Sequence, residues 1–170
     1  MRSGAYLCLH ASTIDASQVT LNHTGGCFIH NVEVKVANYY ANFAADTSSY
    51  GSGSFTVSGV FAPNKDCYMN TKLLNGATLD LSARTSPLSM TGTVSRNTTR
   101  HLTFDGGATI TVDVHGREFT GEPTQVVAWE SAPEGVNFVL DAETRKKCYV
   151  KAIDGGLYVT KRGPMVMFVR

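Results

Sequence analysis

The residues best suited to chemistry in this chain lie around its single tryptophan. Glu118, Glu122, Glu130 and Glu134 fall within a short span that also holds Trp129. Cleavage of a glycosidic bond uses two carboxyl groups about 5–10 Å apart, one of them kept protonated by its surroundings. An aromatic ring stacks on the apolar face of a sugar. Trp129 beside Glu130, with Glu118 as a second acid, is therefore the sugar-handling set that these residue types allow. They also have a plainer reading, which alternation favours: along a strand Trp129 turns into the core and Glu130 turns to water. A second aromatic group, Tyr39, Tyr40, Phe43 and Tyr50, would suit carbohydrate or protein binding if exposed. Partial burial of this group against the side of the fold is the stronger expectation.

Other chemistries find less to use. His10, His23, His30, His101 and His115 are scattered and form neither His-x-His nor His-Glu-x-x-His. Cys27 and His30, with His23 nearby, have a ligand-like spacing but no fourth partner, so no metal is expected. Cys8, Cys27, Cys67 and Cys148 permit three pairings, and no Cys-x-x-Cys occurs. Four unpaired, mostly buried thiols are the first expectation; if one bridge exists, Cys8 with Cys27 is the candidate. No Gly-x-Ser-x-Gly elbow and no Gly-x-x-x-x-Gly-Lys phosphate loop are present, so no cofactor is expected. Asn22-His23-Thr24 and Asn97-Thr98-Thr99 match the glycosylation acceptor pattern.

The elements that must position these side chains are strands. One phrase occurs twice, 31 residues apart: Asn75-Gly76-Ala77-Thr78-Leu79-Asp80-Leu81-Ser82 and Gly106-Gly107-Ala108-Thr109-Ile110-Thr111-Val112-Asp113-Val114. Each is a turn, then Gly-Ala-Thr, then an aliphatic residue alternating with a polar one. That is a glycine corner feeding a half-buried strand. A repeat at this spacing predicts a stacked β-array, and Asp80 and Asp113 fall on its solvated face. Asn31-Val32-Glu33-Val34-Lys35-Val36 alternates cleanly, as does Phe55-Thr56-Val57-Ser58-Gly59-Val60-Phe61; Leu102-Thr103-Phe104 and Leu157-Tyr158-Val159-Thr160-Lys161 read as further strands, and Met165–Arg170 as an apolar one. Strand centres roughly ten residues apart leave no room for helical crossovers. From Ala37 to Asp46 the pattern breaks, and a short helix or a loop is expected there.

Bulk properties narrow the function. The chain has 170 residues, 17% charged, with a formal net charge of +1, which argues against an electrostatic nucleic-acid binder. The Arg145-Lys146-Lys147 run reads as a solvated turn. No apolar run approaches the ~20 residues of a membrane-spanning helix, and no apolar signal core follows Met1-Arg2-Ser3-Gly4. The richness in Gly, Thr, Ser and Asn is extracellular in character. The expectation is the end of a longer secreted protein whose signal lies upstream.

On Phe55–Phe61, Asn75–Leu81, Leu102–Ile110, Val127–Trp129 and Asp154–Val159, the chain resembles the C-terminal part of large secreted repeat proteins with autotransporter-like β-helix passengers. The resemblance implies a surface-exposed scaffold or adhesin, and carries no catalytic motif. No membrane-spanning β-barrel follows, which departs from that pattern. The expected fold is all-β: a right-handed parallel β-helix (solenoid) fragment over residues 1–116, with a β-rich C-terminal cap over residues 117–170 packed as one unit with it. A two-sheet sandwich or jelly roll is the alternative. The expected function is a non-enzymatic secreted or cell-surface adhesion module whose partners are glycans or another surface protein. A small carbohydrate-active enzyme is the alternative.

Overall fold

The computed structural model describes residues 7–9, 13–24, 27–29, 31–42, 49–50, 52–66, 69–94 and 98–163. The chain rises as a stack of coils. The first holds β1 (Leu7–Leu9) and β2 (Thr13–His23), the second β3 (Cys27–Ile29) and β4 (Glu33–Ala41). The third holds β5 (Ser49–Tyr50), β6 (Ser54–Val57) and β7 (Val60–Pro63), and the fourth β8 (Asn70–Leu73) and β9 (Thr78–Asp80). There follow β10 (Leu88–Ser89), β11 (Thr91–Val94), β12 (Thr98–Phe104), β13 (Thr109–Asp113), β14 (Thr124–Ala128) and β15 (Asn137–Leu140). The last two strands are β16 (Cys148–Ile153) and β17 (Gly156–Lys161). Among the described residues the helical content is one short 3-10 turn, Thr144–Lys146.

Successive coils pair in parallel. β1-β3-β5 form one face, while β2, β4, β6, β8 and β12 continue across a bend into β7, β9, β13 and β15 and, with β11 added antiparallel at the β12 edge, make a single curled ten-stranded sheet. This is the all-β parallel solenoid that the glycine corners and alternation predict. Each side chain stacks on its counterpart one coil away. Val36, Val57, Leu73 and Phe104 are successive Cα partners in one column; Tyr39, Phe61, Leu79, Val112 and Leu140 are partners in another. Nearly all are buried, and at about 25 cal/mol per Å² of apolar surface such columns supply the main drive to fold. Thr71 interrupts the column of Val34, Phe55 and Leu102, but its hydroxyl is satisfied by the Met69 carbonyl at 3.1 Å.

The bend between the columns widens along the stack. Val36 and Tyr39 are three residues apart in β4; their counterparts are Val57 and Phe61, then Leu73 and Leu79, then Phe104 and Val112. Inserted residues lose a ladder partner, and asparagine side chains supply the acceptor instead. The Val60 N–H donates to Asn38 Oδ1 at 2.8 Å, and the Thr109 N–H to Asn75 Oδ1 at 2.9 Å. Gly59 sits against Asn38 and the Ala37 carbonyl so closely that a Cβ would collide with both. Gly76 and Gly107 have φ of +84° and +71°, the left-handed conformation that glycine alone adopts without cost.

One sequence expectation is corrected. The helix or loop expected from Ala37 is strand as far as Ala41: β4 carries on because Tyr39 and Ala41 turn inward and Asn38 serves the corner. Residues 43–46 lie outside the described residues, as does the end strand expected at 165–170. Strand pairing runs across residue 116 in both directions. β15 joins the solenoid sheet beside β13, whereas β10 pairs in parallel with β14 in the second sheet, ordered β10-β14-β17-β16. The Met90 N–H donates to the Ala128 carbonyl, and the Leu102 N–H to the Met90 carbonyl, so one residue ties the two sheets together.

Candidate functional site

Trp129 follows β14 and lies inside the molecule, 7% exposed. Its ring stacks on Phe138 with centroids 5.8 Å apart, and Phe138 meets Phe104 edge-on at 5.4 Å. The indole N–H donates to the Ile153 carbonyl at 3.1 Å. Both faces of the tryptophan's chemistry, apolar and polar, are thus spent on joining the cap to the last coils. Glu130 and Glu118 are exposed, as the alternating reading requires for Glu130.

The tyrosines divide. Tyr39 is 1% exposed, its hydroxyl 3.0 Å from His23 Nδ1 and its ring 4.4 Å from that of Phe55. Tyr40 is half-buried, with Asn22 and Ala62 beside it in register. The side chain of Tyr50 and all of Phe43 lie outside the described residues. In β1 and β3, Cys8 stands opposite Phe28 and Cys27 opposite Leu7, one residue out of step for the candidate bridge. Cys67 lies outside the described residues, and Cys148 is a buried free thiol. Among the described residues no three His, Cys, Asp or Glu side chains gather as metal ligands. No helix there is long and apolar enough to cross a membrane.

The charged chemistry collects at a corner that sequence reasoning passed over. Three strands end in the same way: Leu79-Asp80-Leu81-Ser82-Ala83-Arg84, Val112-Asp113-Val114-His115-Gly116-Arg117 and Leu140-Asp141-Ala142-Glu143-Thr144-Arg145. Asp80 and Asp113 are Cα partners, and Leu140 partners Val112 just before Asp141. Each aspartate folds back on its own chain. Asp80 accepts from the Ser82 N–H at 2.9 Å, Asp113 from the His115 N–H at 2.8 Å, and Asp141 from the N–H groups of Glu143 and Thr144. These are Asx turns, which swing the chain out of the strand and deliver an arginine four residues on. The signal for finding them was the recurring Asp-x-x-x-Arg, hidden by unequal spacing between copies.

Arg84 is 6% exposed; it bonds Asp66 at 3.0 Å and the carbonyls of Ser86 and Pro87. Arg117 is half-buried over the Phe119 ring, 5.6 Å from its centroid. Burial, with the like charge of Arg84 added, pulls its guanidinium below the usual arginine range. The Nη1 groups of both arginines are buried without a hydrogen-bond partner. A cleft of about 550 Å³ opens beside Arg117, where the second and third corners meet the end of β17. Its walls include His115, Arg117, Glu118, Thr144, Lys147 and Lys161. Glu118 is thus at the cleft, and Trp129 and Glu130 are not among its walls. Set against known proteins, the chain matches no family model, no curated protein and no solved structure.

Proposed function

We propose that this chain is a non-enzymatic scaffold and adhesion module of a secreted or cell-surface protein, which contacts glycans or another surface protein from its outer face. The observation that supports this reading is the interior. Stacked side chains fill the coil from Val34 to Leu140, and the two candidate catalytic carboxylates, Glu118 and Glu130, stand in water instead of converging on an enclosed chamber. A solenoid of this kind offers long, rigid outer surfaces and corners, and function resides in what those display. The test is a glycan array run beside a hydrolysis screen on plant and mucin polysaccharides. Binding without turnover is the expected result. Turnover that disappears in Glu118→Gln or Glu130→Gln would replace this reading with that of a small carbohydrate-active enzyme.

A further inference from the structure

The corner cleft is the place where the fold holds charge that its own residues do not neutralise. Arg117 reaches it from the second Asp-x-x-x-Arg corner, with one guanidinium N–H group buried and unpartnered. Arg84, itself buried, adds a like charge to its surroundings. Arg117 as a whole is only half-buried and lines the cleft, so an incoming acceptor would meet a cation already partly stripped of water. Arg117 is also fixed in place, since its guanidinium lies over the Phe119 ring and its backbone N–H donates to the Val114 carbonyl at 3.1 Å. Lys147 and Lys161, from the adjoining ends of β16 and β17, add two exposed lysines to the lining. The exposed Lys147 backbone is held as well: its carbonyl accepts from the Arg162 N–H at 2.7 Å. Against these cations stand two carboxylates, Glu118 and Glu143, and Glu143 is engaged by Lys146 at 2.7 Å. The mixture suits one negative group among neutral hydroxyls: a guanidinium can hold an oxyanion in bidentate fashion and the ammonium groups add point charges, while Glu118 and the Thr144 hydroxyl accept from neighbouring O–H groups.

We infer that this cleft binds an acidic sugar, with Arg117, Lys147 and Lys161 gripping its oxyanion, the carboxylate of a uronic acid or a sulfate ester, and Glu118 and Thr144 holding its hydroxyls. The inference rests on the glycan-contacting reading above and narrows it to anionic glycans.

Calorimetric titration of the whole chain tests it with four probes: tetragalacturonate, its methyl ester, a heparin tetrasaccharide and a neutral maltotetraose. One acidic probe should bind, and its uncharged counterpart should bind at least tenfold more weakly, as expected when a charge-assisted hydrogen bond is lost. Preference for galacturonate assigns the carboxylate, and preference for heparin the sulfate. Arg117→Gln should weaken binding about tenfold, Lys147→Gln and Lys161→Gln roughly threefold each, and added salt should weaken it further. Because both lysines are exposed, these two variants keep the fold even if Arg117→Gln does not. Lys151→Gln, on β16 outside the cleft, should bind as the parent does. Equal affinity for acidic and neutral probes, or full affinity in both lysine variants, overturns the inference while leaving a glycan-binding scaffold in place. Binding to none of the four probes overturns the inference as well; the glycan reading itself then stands or falls on the array.

Discussion

Between Val112 and Arg117 the chain passes from one kind of order to another. Val112 sits in a column where each residue is held by an apolar neighbour one coil above and one below. Five residues later Arg117 is held by a turn, a ring face and a backbone bond, and part of its donor capacity has no partner. The column is redundant, since many similar contacts share the load and any polar intruder must be satisfied locally, as Thr71 is. The corner is specific, since one aspartate sets the direction of one arginine. Stability is therefore concentrated in the columns, while chemistry is displayed at the corners. A substitution in either region should reveal which kind of order it touches.

The largest effect is expected where the two sheets are joined. Trp129→Ala removes the ring stacked on Phe138 and leaves the Ile153 carbonyl without its donor. Loss of about 3–5 kcal/mol in denaturant unfolding is expected for an aromatic truncated in a core. Were Trp129 an open sugar platform instead, the same variant would lose glycan binding at nearly unchanged stability. Next comes the glycine corner. Gly106 and Gly107 are adjacent, and a Cβ would meet nothing within 4 Å at either. They differ in backbone alone, since only Gly107 has a positive φ, +71°. Gly107→Ala should cost roughly 1–2 kcal/mol. Gly106→Ala should be neutral or slightly stabilising, through a less flexible unfolded chain. Equal melting temperatures for the two variants would show that the corner does not need its left-handed turn.

The same contrast explains how much could be read in advance. Columns are periodic, so Leu79, Leu81, Ile110, Val112 and Val114 announced the core face by alternation, and the two Gly-Ala-Thr copies announced the parallel stack. Tyr39 was harder, because β4 crosses its corner without a glycine and an asparagine-rich stretch resembles a loop. Only the next coil shows that Asn38 is there to accept from Val60. The third repeat, from Gly135 to Arg145, was hidden by Val136-Asn137 in place of Ala-Thr, and by a spacing of 28 residues from the second copy. Gly135 nevertheless has the same left-handed φ, +69°. The corner charges escaped notice because aspartate and arginine four apart are ordinary in any surface turn. Their meaning comes from stacking, which fixes Asp80 beside Asp113 although the intervening chain varies in length.

Smaller effects belong to the corner aspartates. Asp113→Ala deletes the acceptor of the His115 N–H, bonded at 2.8 Å, and should cost about 1 kcal/mol. Asp113→Asn keeps an acceptor oxygen and should recover most of that loss, because asparagine makes the same turn. If the inference about the cleft holds, Asp113→Ala also weakens acidic-glycan binding by moving Arg117, whereas a Val112→Ala variant of comparable or lower stability binds normally.

Asp141 gives the subtlest test, through pH. Its burial alone would raise the carboxyl, but the Thr144 hydroxyl and the N–H groups of Thr144, Val114 and Glu143 overcome that and hold it below the usual aspartate range. A carboxyl depressed in the folded state contributes stability that is fully present above its unfolded value, about pH 4, and is lost as pH falls through the folded one. The neutral Asp141→Asn side chain cannot take part in this exchange. The stability gap between parent and Asp141→Asn should therefore be constant near neutrality and shrink as pH falls below about 4. The gap between parent and Val112→Ala reports the loss of two buried methyl groups and should not move over the same range. Two gaps that shrink in parallel would mean that acid loosens the whole stack, and that the corner carries no electrostatic stabilisation of its own.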